Sequence, residues 1–151
     1  MYRFNTIQEL NTFINNKLSQ GITLQKLMKI FSYIGNDWLK YKSFNIESFN
    51  KILVEKSNLF ETYIITWNKN QESPIHDHPE NGCIMFVLEG SLKEVVYNDK
   101  LQVLYTTNYV SGDVSYIEGA TKLHKIIPLE HTVTLHVYAP PNFVYKSYLI
   151  E

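Results

Sequence analysis

The chain contains a single cysteine, Cys83, among its 151 residues. One cysteine excludes an intramolecular disulfide framework and is typical of a protein in the reducing cytoplasm. No apolar run approaches the roughly 20 residues that a membrane-spanning helix requires. The first residues, MYRFNTIQEL, also lack the apolar core of a secretory signal. We therefore expect a cytoplasmic protein with no membrane partner.

Net charge is also nearly absent. Fourteen basic and fifteen acidic residues give a formal net charge of −1, and 44% of the residues are hydrophobic. This composition is typical of a globular protein and leaves no basic surface for nucleic acid. At this length we expect one domain that spans residues 1–151.

Residues 1–47 are predicted to be mostly helical. Thr6 and Glu9 form a capping box at the start of a first helix. Apolar residues at helical spacing predict a second helix over 24–34, with Gly35 as its C-cap. A third, shorter helix is expected between residues 37 and 44.

Residues 48–151 are predicted to form a β-barrel. The segments are short, rich in β-branched and aromatic residues, and uninterrupted by helices: FNKILVE, LFETYIITWN, GCIMFVLEG, SLKEVVYN, KLQVLYTTNYV, GDVSYIEG and TVTLHVYAP. Asn98 and Asp99 predict a hairpin turn. We therefore expect a mainly β protein, an antiparallel sandwich or small barrel with an N-terminal helical segment.

Two histidines lie close together in the stretch SPIHDHPENGC. On a strand, His76 and His78 would face one side and Asp77 the other. A third histidine, His124, follows a glycine-rich segment, and an antiparallel barrel would bring its strand over the same opening. Neutral imidazole binds Fe, Zn, Cu and Ni, so these residues predict a metal site without selecting the metal.

Three further polar residues alternate along one predicted strand. Thr134, His136 and Tyr138 occupy positions i, i+2 and i+4, so they share a face, whereas Leu135 and Val137 face the opposite, apolar side. A buried row of hydroxyl, imidazole and phenol requires mutual hydrogen bonds.

These motifs resemble those of the cupin fold, and within it the thiol dioxygenase family that includes cysteine dioxygenase. SPIHDHPENGCIMFVLEG is similar to the first cupin metal motif and GDVSYIEGATKLH to the second. Gly82 and Cys83 stand where the usual cupin motif has a glutamate, and Cys83 matches the family's active-site cysteine. Trp67 matches a family tryptophan, and TVTLHVYAPP is similar to its Ser-x-His-x-Tyr-x-Pro-Pro segment. The resemblance extends from about Trp38 to Pro141.

The resemblance implies an iron(II) enzyme that oxidises a small thiol with O2 to a sulfinic acid. The implied iron ligands are His76, His78 and His124, and Tyr138 is held by His136 and Thr134. In some family members the equivalents of Cys83 and Tyr138 are joined by a thioether bond. The resemblance also makes a monomer plausible.

The chain departs from the family where the substrate carboxylate would bind. The family uses an arginine in a Tyr-x-Arg-x-Leu-Val stretch, and the best match, FNKILVE, has Phe49 and Lys51 in those places. Lysine keeps the charge but loses the planar two-pronged donor. Lys51 is therefore expected either to anchor a carboxylate or to face solvent.

The predicted substrate-binding residues are Lys51, Phe49, Trp67 and Tyr138. L-cysteine is the first candidate substrate, with 3-mercaptopropionate and cysteamine as alternatives. A related cupin with another metal, and a non-catalytic metal-binding cupin, also stay open. His131 is expected to lie in a surface loop.

Overall fold

The structure is a computed structural model that describes residues 1–119 and 121–150. In chain order its helices and strands are β1 Tyr2–Phe4, α1 Ile7–Ser19, α2 Leu24–Leu27, β2 Phe31–Tyr33, a 3-10 helix Asp37–Tyr41, β3 Asn50–Lys56, β4 Glu61–Trp67, β5 Ile75–His76, β6 Cys83–Glu89, β7 Ser91–Tyr97, β8 Val103–Val110, β9 Val114–Ile117, β10 Leu123–Pro128, β11 Thr132–Tyr138 and β12 Ser147–Tyr148. None of the helices in this part of the chain is long and apolar enough to span a membrane.

Two five-stranded antiparallel sheets form the body of the molecule. The first has the strand order β12-β5-β10-β7-β8, and the second has the order β3-β4-β11-β6-β9. A buried cluster draws side chains from both sheets, which therefore face each other: Ile65, Trp67, Met85, Val87, Leu92 and Ile126. The prediction of a mainly β, antiparallel architecture is confirmed.

The N-terminal segment covers the outer face of the second sheet. Helix α1 begins where predicted, with the Thr6 hydroxyl oxygen accepting a hydrogen bond from the Glu9 backbone N–H at 3.1 Å. Its buried residues pack with those of α2, β2 and the sheet: Ile7, Leu10, Ile14, Leu24, Leu27, Phe31, Ile64, Ile84, Leu135 and Val137. Leu135 and Val137 thus lie on the apolar side of β11, as the alternation predicts.

The prediction of a second helix over 24–34 is wrong beyond Leu27. Phe31–Tyr33 instead forms a strand that pairs in parallel with Tyr2–Phe4. Residues on both sides of β2 also form backbone hydrogen bonds with β1. These bonds to β1 take the place of the helical hydrogen bonds that the sequence predicted. Gly35 is not a C-cap, because the helix ends at Leu27 with Met28 as its C-cap. A Cβ on Gly35 would overlap the Asn5 carbonyl.

The segment predicted as a third helix is shorter than expected. It forms a single stretch of 3-10 helix, Asp37–Tyr41. The Asp37 carboxylate accepts hydrogen bonds from the Ile7 backbone N–H, at 2.9 Å, and from the Tyr33 hydroxyl. This carboxylate therefore joins the start of α1 to the end of β2.

The turn at Asn98 and Asp99 joins β7 to β8, as the sequence predicts. The Asn98 side-chain oxygen accepts hydrogen bonds from the backbone N–H groups of Lys100 and Gln102, at 2.9 and 3.0 Å. The two strands then pair along most of their length. His131 is exposed at the surface, as expected.

Candidate metal site and substrate cavity

Three imidazoles converge at one end of the space between the sheets. His76 ends β5, His78 lies in the loop that follows, and His124 lies on β10 as the pairing partner of His76. The His124 Nε2 atom is 2.9 Å from Nε2 of His78 and 3.1 Å from Nε2 of His76. Asp77 points elsewhere, and its carboxylate accepts the Lys146 backbone N–H at 2.6 Å.

Hydrogen bonds on the far side of two rings leave the converging nitrogens as lone-pair donors. The His76 Nδ1–H donates to the Pro74 carbonyl at 2.8 Å, and the His124 Nδ1–H donates to Glu94 Oε2 at 2.6 Å. Burial lowers the pKa of all three histidines, most strongly for His78 and His124. The rings are therefore held neutral, which is the form that binds metals.

Two of the separations between the three nitrogens fit a metal ion. Lone pairs about 3 Å apart repel one another unless a cation lies between them. Nitrogen ligands bound at about 2.1 Å and at right angles lie about 3.0 Å apart, close to the two separations observed between the Nε2 atoms. Among the described residues, this cluster consists of His76, His78 and His124, the three predicted ligands.

Glu94 is a part of the site that the sequence analysis missed. It is 3% exposed on β7, where Oε2 accepts the His124 Nδ1–H and Oε1 accepts the Ser115 hydroxyl at 2.9 Å. A carboxylate behind a ligating histidine fixes its tautomer and raises its basicity as a ligand. A signal was present, because Glu94 alternates with Leu92 and Val96, which are both buried.

The predicted polar row on β11 forms a continuous hydrogen-bond chain. Thr134 Oγ1 is 2.7 Å from His136 Nε2, and His136 Nδ1 is 3.3 Å from the Tyr138 hydroxyl. Trp67 extends the chain, because its indole N–H donates to Thr134 Oγ1 at 3.0 Å. Cys83 lies beside the far end, as the pairing partner of Tyr138 on β6, with Sγ 3.8 Å from His136 Nδ1.

One cavity brings the histidines and the polar row together. Its walls include His76, His124, His136 and Tyr138. The predicted substrate-binding residues Phe49, Lys51 and Trp67 also line it, and the Phe49 ring packs 4.6 Å from that of Trp67. The structure therefore gathers all four predicted substrate-binding residues around one space.

Lys51 lies at the mouth of this cavity. The residue is exposed, yet its Nζ lies 4.4 Å from the centre of the Tyr63 ring and 4.9 Å from that of Tyr138. It belongs to none of the ion pairs within 4.0 Å among the described residues. Desolvation lowers its pKa. Lys51 therefore lines the cavity and is also exposed to solvent.

The C-terminal segment supplies one wall, which sequence reasoning did not foresee. Ser147–Tyr148 pairs with Ile75–His76, and this places the Tyr145 ring 5.1 Å from the His76 ring. Phe143 also lines the cavity. The available signal was the run of aromatic residues after the two prolines, in FVYKSY.

A two-sheet antiparallel barrel with converging imidazoles at one end defines a metal-binding cupin, and solved structures share the fold. The fold is similar to a protein with a double-stranded β-helix domain from Klebsiella pneumoniae, with a TM-score of 0.64 and 18% identity over 76% of this chain and 96% of that one. It is also similar to an RmlC-like cupin protein from Desulfovibrio desulfuricans, with a TM-score of 0.57 and 25% identity over 71% and 96% of the two chains.

Sequence comparison identifies the family within this class. The family model described as cysteine dioxygenase type I matches residues 3–149, and the chain therefore belongs to that family. Cysteine dioxygenase type 1 of Danio rerio is 30% identical over 129 residues, and that of Homo sapiens is 29% identical over 128. Each match covers 78% of this chain, and the chain spans 64% of the length of these relatives. The predicted family and cupin fold are confirmed.

Proposed function

We propose that this protein is an iron(II)-dependent dioxygenase of small thiols that carry a carboxylate, with L-cysteine as the first candidate. The observation that carries this proposal is a single cavity lined by two of the three converging imidazoles, His76 and His124, by the Tyr138 phenol and by the Lys51 ammonium. The thiol and O2 together have the composition of the sulfinic acid, so the reaction requires no external reductant.

His76, His78 and His124 would hold the iron. When bound, the iron would supply the centre at which thiolate and O2 react, and three neutral ligands leave its 2+ charge to favour an anionic thiolate. Cys83 is not proposed as a ligand, because burial raises the pKa of its thiol and its Sγ–H donates to the Ile84 carbonyl at 3.4 Å.

The chain from Trp67 to Tyr138 supports a fixed role for the phenol. The indole N–H can only donate, so the buried Thr134 hydroxyl accepts from Trp67 and donates its own proton to His136 Nε2. His136 then carries its proton on Nδ1, facing the Tyr138 oxygen. Burial raises the pKa of Tyr138 well above its usual value. Tyr138 would therefore stay protonated and donate a hydrogen bond to the reacting groups.

Lys51 supports a substrate with a carboxylate. Its ammonium faces the cavity without a carboxylate from the described residues within ion-pair distance, so a substrate carboxylate would complete the pair. Cysteamine would instead bring a second ammonium towards the first. L-cysteine and 3-mercaptopropionate both meet this requirement and differ in the amine.

A thioether between Cys83 and Tyr138 is part of the proposal. The two residues are paired across β6 and β11, and Tyr138 packs against the cluster that contains Cys83. Forming the C–S bond breaks the Cys83 S–H bond and one ring C–H bond of Tyr138, and O2 accepts the two hydrogens to become hydrogen peroxide. The intact mass should fall by about two hydrogens after turnover, whereas an unchanged mass would exclude the bond.

Oxygen uptake by the iron-loaded protein tests the activity. We expect consumption with L-cysteine or 3-mercaptopropionate, little with cysteamine, and a product heavier than the thiol by two oxygen atoms. The metal-free protein is the control. A fully iron-loaded protein that forms no sulfinate from any of the three thiols would refute the proposal and leave a metal-binding cupin.

Replacing Lys51 tests the substrate class. We expect Lys51→Met to raise KM for the carboxylate thiol by about tenfold or more, because the site loses its cation. Lys51→Arg should restore much of the affinity. Lys69→Met, at an exposed lysine outside the cavity, is the matched control. Equal KM values for Lys51→Met and the wild type would remove Lys51 from the site.

A further inference from the structure

Three tyrosine rings surround the ammonium of Lys51. Its Nζ lies 4.4, 4.9 and 5.9 Å from the ring centres of Tyr63, Tyr138 and Tyr145. A cation within about 6 Å of a ring centre is attracted by the negative face of the ring. We call these three residues the aromatic cage.

The cage comes from three separate parts of the chain. Tyr63 lies on β4, Tyr138 on β11, and Tyr145 between β11 and β12. Tyr63 and Tyr138 meet edge to face with their ring centres 5.7 Å apart. The cage therefore forms only when the second sheet and the C-terminal segment are both in place.

Each of the two rings outside the polar row is itself anchored. The Tyr63 hydroxyl donates to Glu61 Oε2 at 3.1 Å, and the other oxygen of that carboxylate accepts the Asn142 N–H at 2.9 Å. Tyr145 is fixed by its neighbour Lys146, whose backbone N–H bonds to Asp77. Glu61 forms no ion pair with Lys51 within 4.0 Å, although its negative charge opposes the lowering of the Lys51 pKa by desolvation. The three rings lie within 6 Å of the Lys51 ammonium and restrict its position.

The cage compensates for the flexibility of lysine as a carboxylate anchor. An ammonium on a flexible four-carbon chain is a less oriented donor than a guanidinium. Rings on its flanks restrict the position of Nζ without using its N–H donors, because the attraction is to the ring faces. The donors stay free to meet an anionic ligand in the cavity.

We propose that Tyr63 and Tyr145 are positioning residues that hold the Lys51 ammonium at the cavity mouth and thereby set the preference for a thiol that carries a carboxylate. The consequence for specificity rests on the proposed function. The cage itself does not, because it is a property of the protein without metal or substrate.

Proton NMR of the metal-free protein tests the cage. Ring currents should move the ε-CH2 protons of Lys51 upfield of those of exposed lysines, with assignment from a Lys51→Met spectrum. Tyr63→Leu and Tyr145→Leu should each shift the signal back. Tyr63→Phe keeps the ring, and Tyr105→Leu removes an exposed tyrosine on β8, so both should leave it in place. If the Lys51 ε-CH2 signal of the wild type lay at the position of exposed lysines, the proposal of an aromatic cage would be wrong.

Steady-state kinetics of the same variants test specificity. Losing one ring should raise KM for the carboxylate thiol about fivefold, with a smaller change in kcat and no rise in KM for cysteamine. Tyr145→Leu alters an exposed residue and supplies the test even if Tyr63→Leu does not fold. An unchanged KM in a variant with a shifted Lys51 signal would overturn the specificity role. Since the NMR measurement requires neither metal nor turnover, failure of the proposed activity cannot be mistaken for failure of the cage.

Discussion

Hydrogen bonds from Ser115 and His124 fix the orientation of Glu94 behind the metal site. Ser115 donates to one oxygen, and the His124 Nδ1–H donates to the other. Burial raises the pKa of Glu94, whereas the Ser115 hydrogen bond opposes that rise. Its contact with His124 favours the tautomer whose Nε2 faces the other two imidazoles.

Replacing Glu94 should weaken metal binding. We expect Glu94→Gln to reduce the affinity for Fe(II) or Co(II) by about 10- to 100-fold, because the neutral amide is a poorer acceptor for His124 Nδ1–H. Competition with a chelator of known affinity measures the change. Glu47→Gln, at an exposed loop carboxylate, is the control. Equal affinities of Glu94→Gln and the wild type would show that Glu94 does not tune the site.

The individual site residues differed in how readily the sequence revealed them. His76 and His78 form a local motif, and the row on β11 follows from strand alternation alone. Glu94 alternates with Leu92 and Val96, but Val95 and Tyr97 are buried as well, so the alternation alone did not show that Glu94 faces inwards on β7. Tyr145 was hidden because it lies in an irregular segment, whose place beside His76 depends on the pairing of β12 with β5. Pairing between strands that are distant in the chain produces no periodic pattern in the sequence.

At the scale of elements, the second predicted helix shows the limit of periodicity. Apolar residues continue past Leu27 at helical spacing, yet the chain leaves the helix there and Phe31–Tyr33 becomes a strand. A short apolar run fits either state. Its partner β1 lies near the other end of the segment, on the far side of α1, and only the tertiary structure brings the two together.

At the same scale, the turn before β6 requires a glycine. Gly82 has a φ of +86°, and a Cβ there would overlap the Ile117 carbonyl oxygen. Gly21 has a similar φ of +83°, but a Cβ there would meet no atom within 4 Å. The two glycines therefore separate the cost of backbone conformation from the cost of close packing.

Alanine substitution at these two glycines should have unequal effects. We expect Gly82→Ala to lower the free energy of unfolding by about 3 kcal/mol or more, because conformational strain and overlap add. Gly21→Ala should cost only about 1 kcal/mol. Urea denaturation followed by circular dichroism measures both. Equal losses would mean that the turn at Gly82 adjusts to admit a side chain.

At the scale of the whole molecule, the site depends on both sheets. The first sheet supplies His76 and His124, and the second supplies Lys51, Trp67 and the row on β11. The sequence could indicate the mainly β class and the cupin motifs because both are local patterns. It could not indicate how the sheets face each other, and so it could not place Lys51 beside its rings.

Enclosing histidines between two sheets also makes stability depend on pH. Burial holds the pKa of His136 well below 6.5 in the folded protein, whereas the unfolded chain binds the proton near pH 6.5. Below pH 6.5 the unfolded state therefore binds more protons than the folded state. This difference destabilises the fold as the pH falls. The contribution of neutral His136 to the free energy of unfolding is therefore fully present above pH 6.5 and is lost as the pH falls below that value.

Removing His136 should remove its share of this dependence. Between about pH 7.5 and pH 5.5, the metal-free wild type should lose up to about 1.4 kcal/mol that a His136→Gln variant does not lose, so the variant's relative destabilisation should shrink towards acid. Urea unfolding of the metal-free proteins at the two pH values measures the difference. The same experiment on His131→Gln gives the effect of losing an exposed histidine. A gap between wild type and His136→Gln that stays constant with pH would show that His136 takes up a proton equally readily in both states.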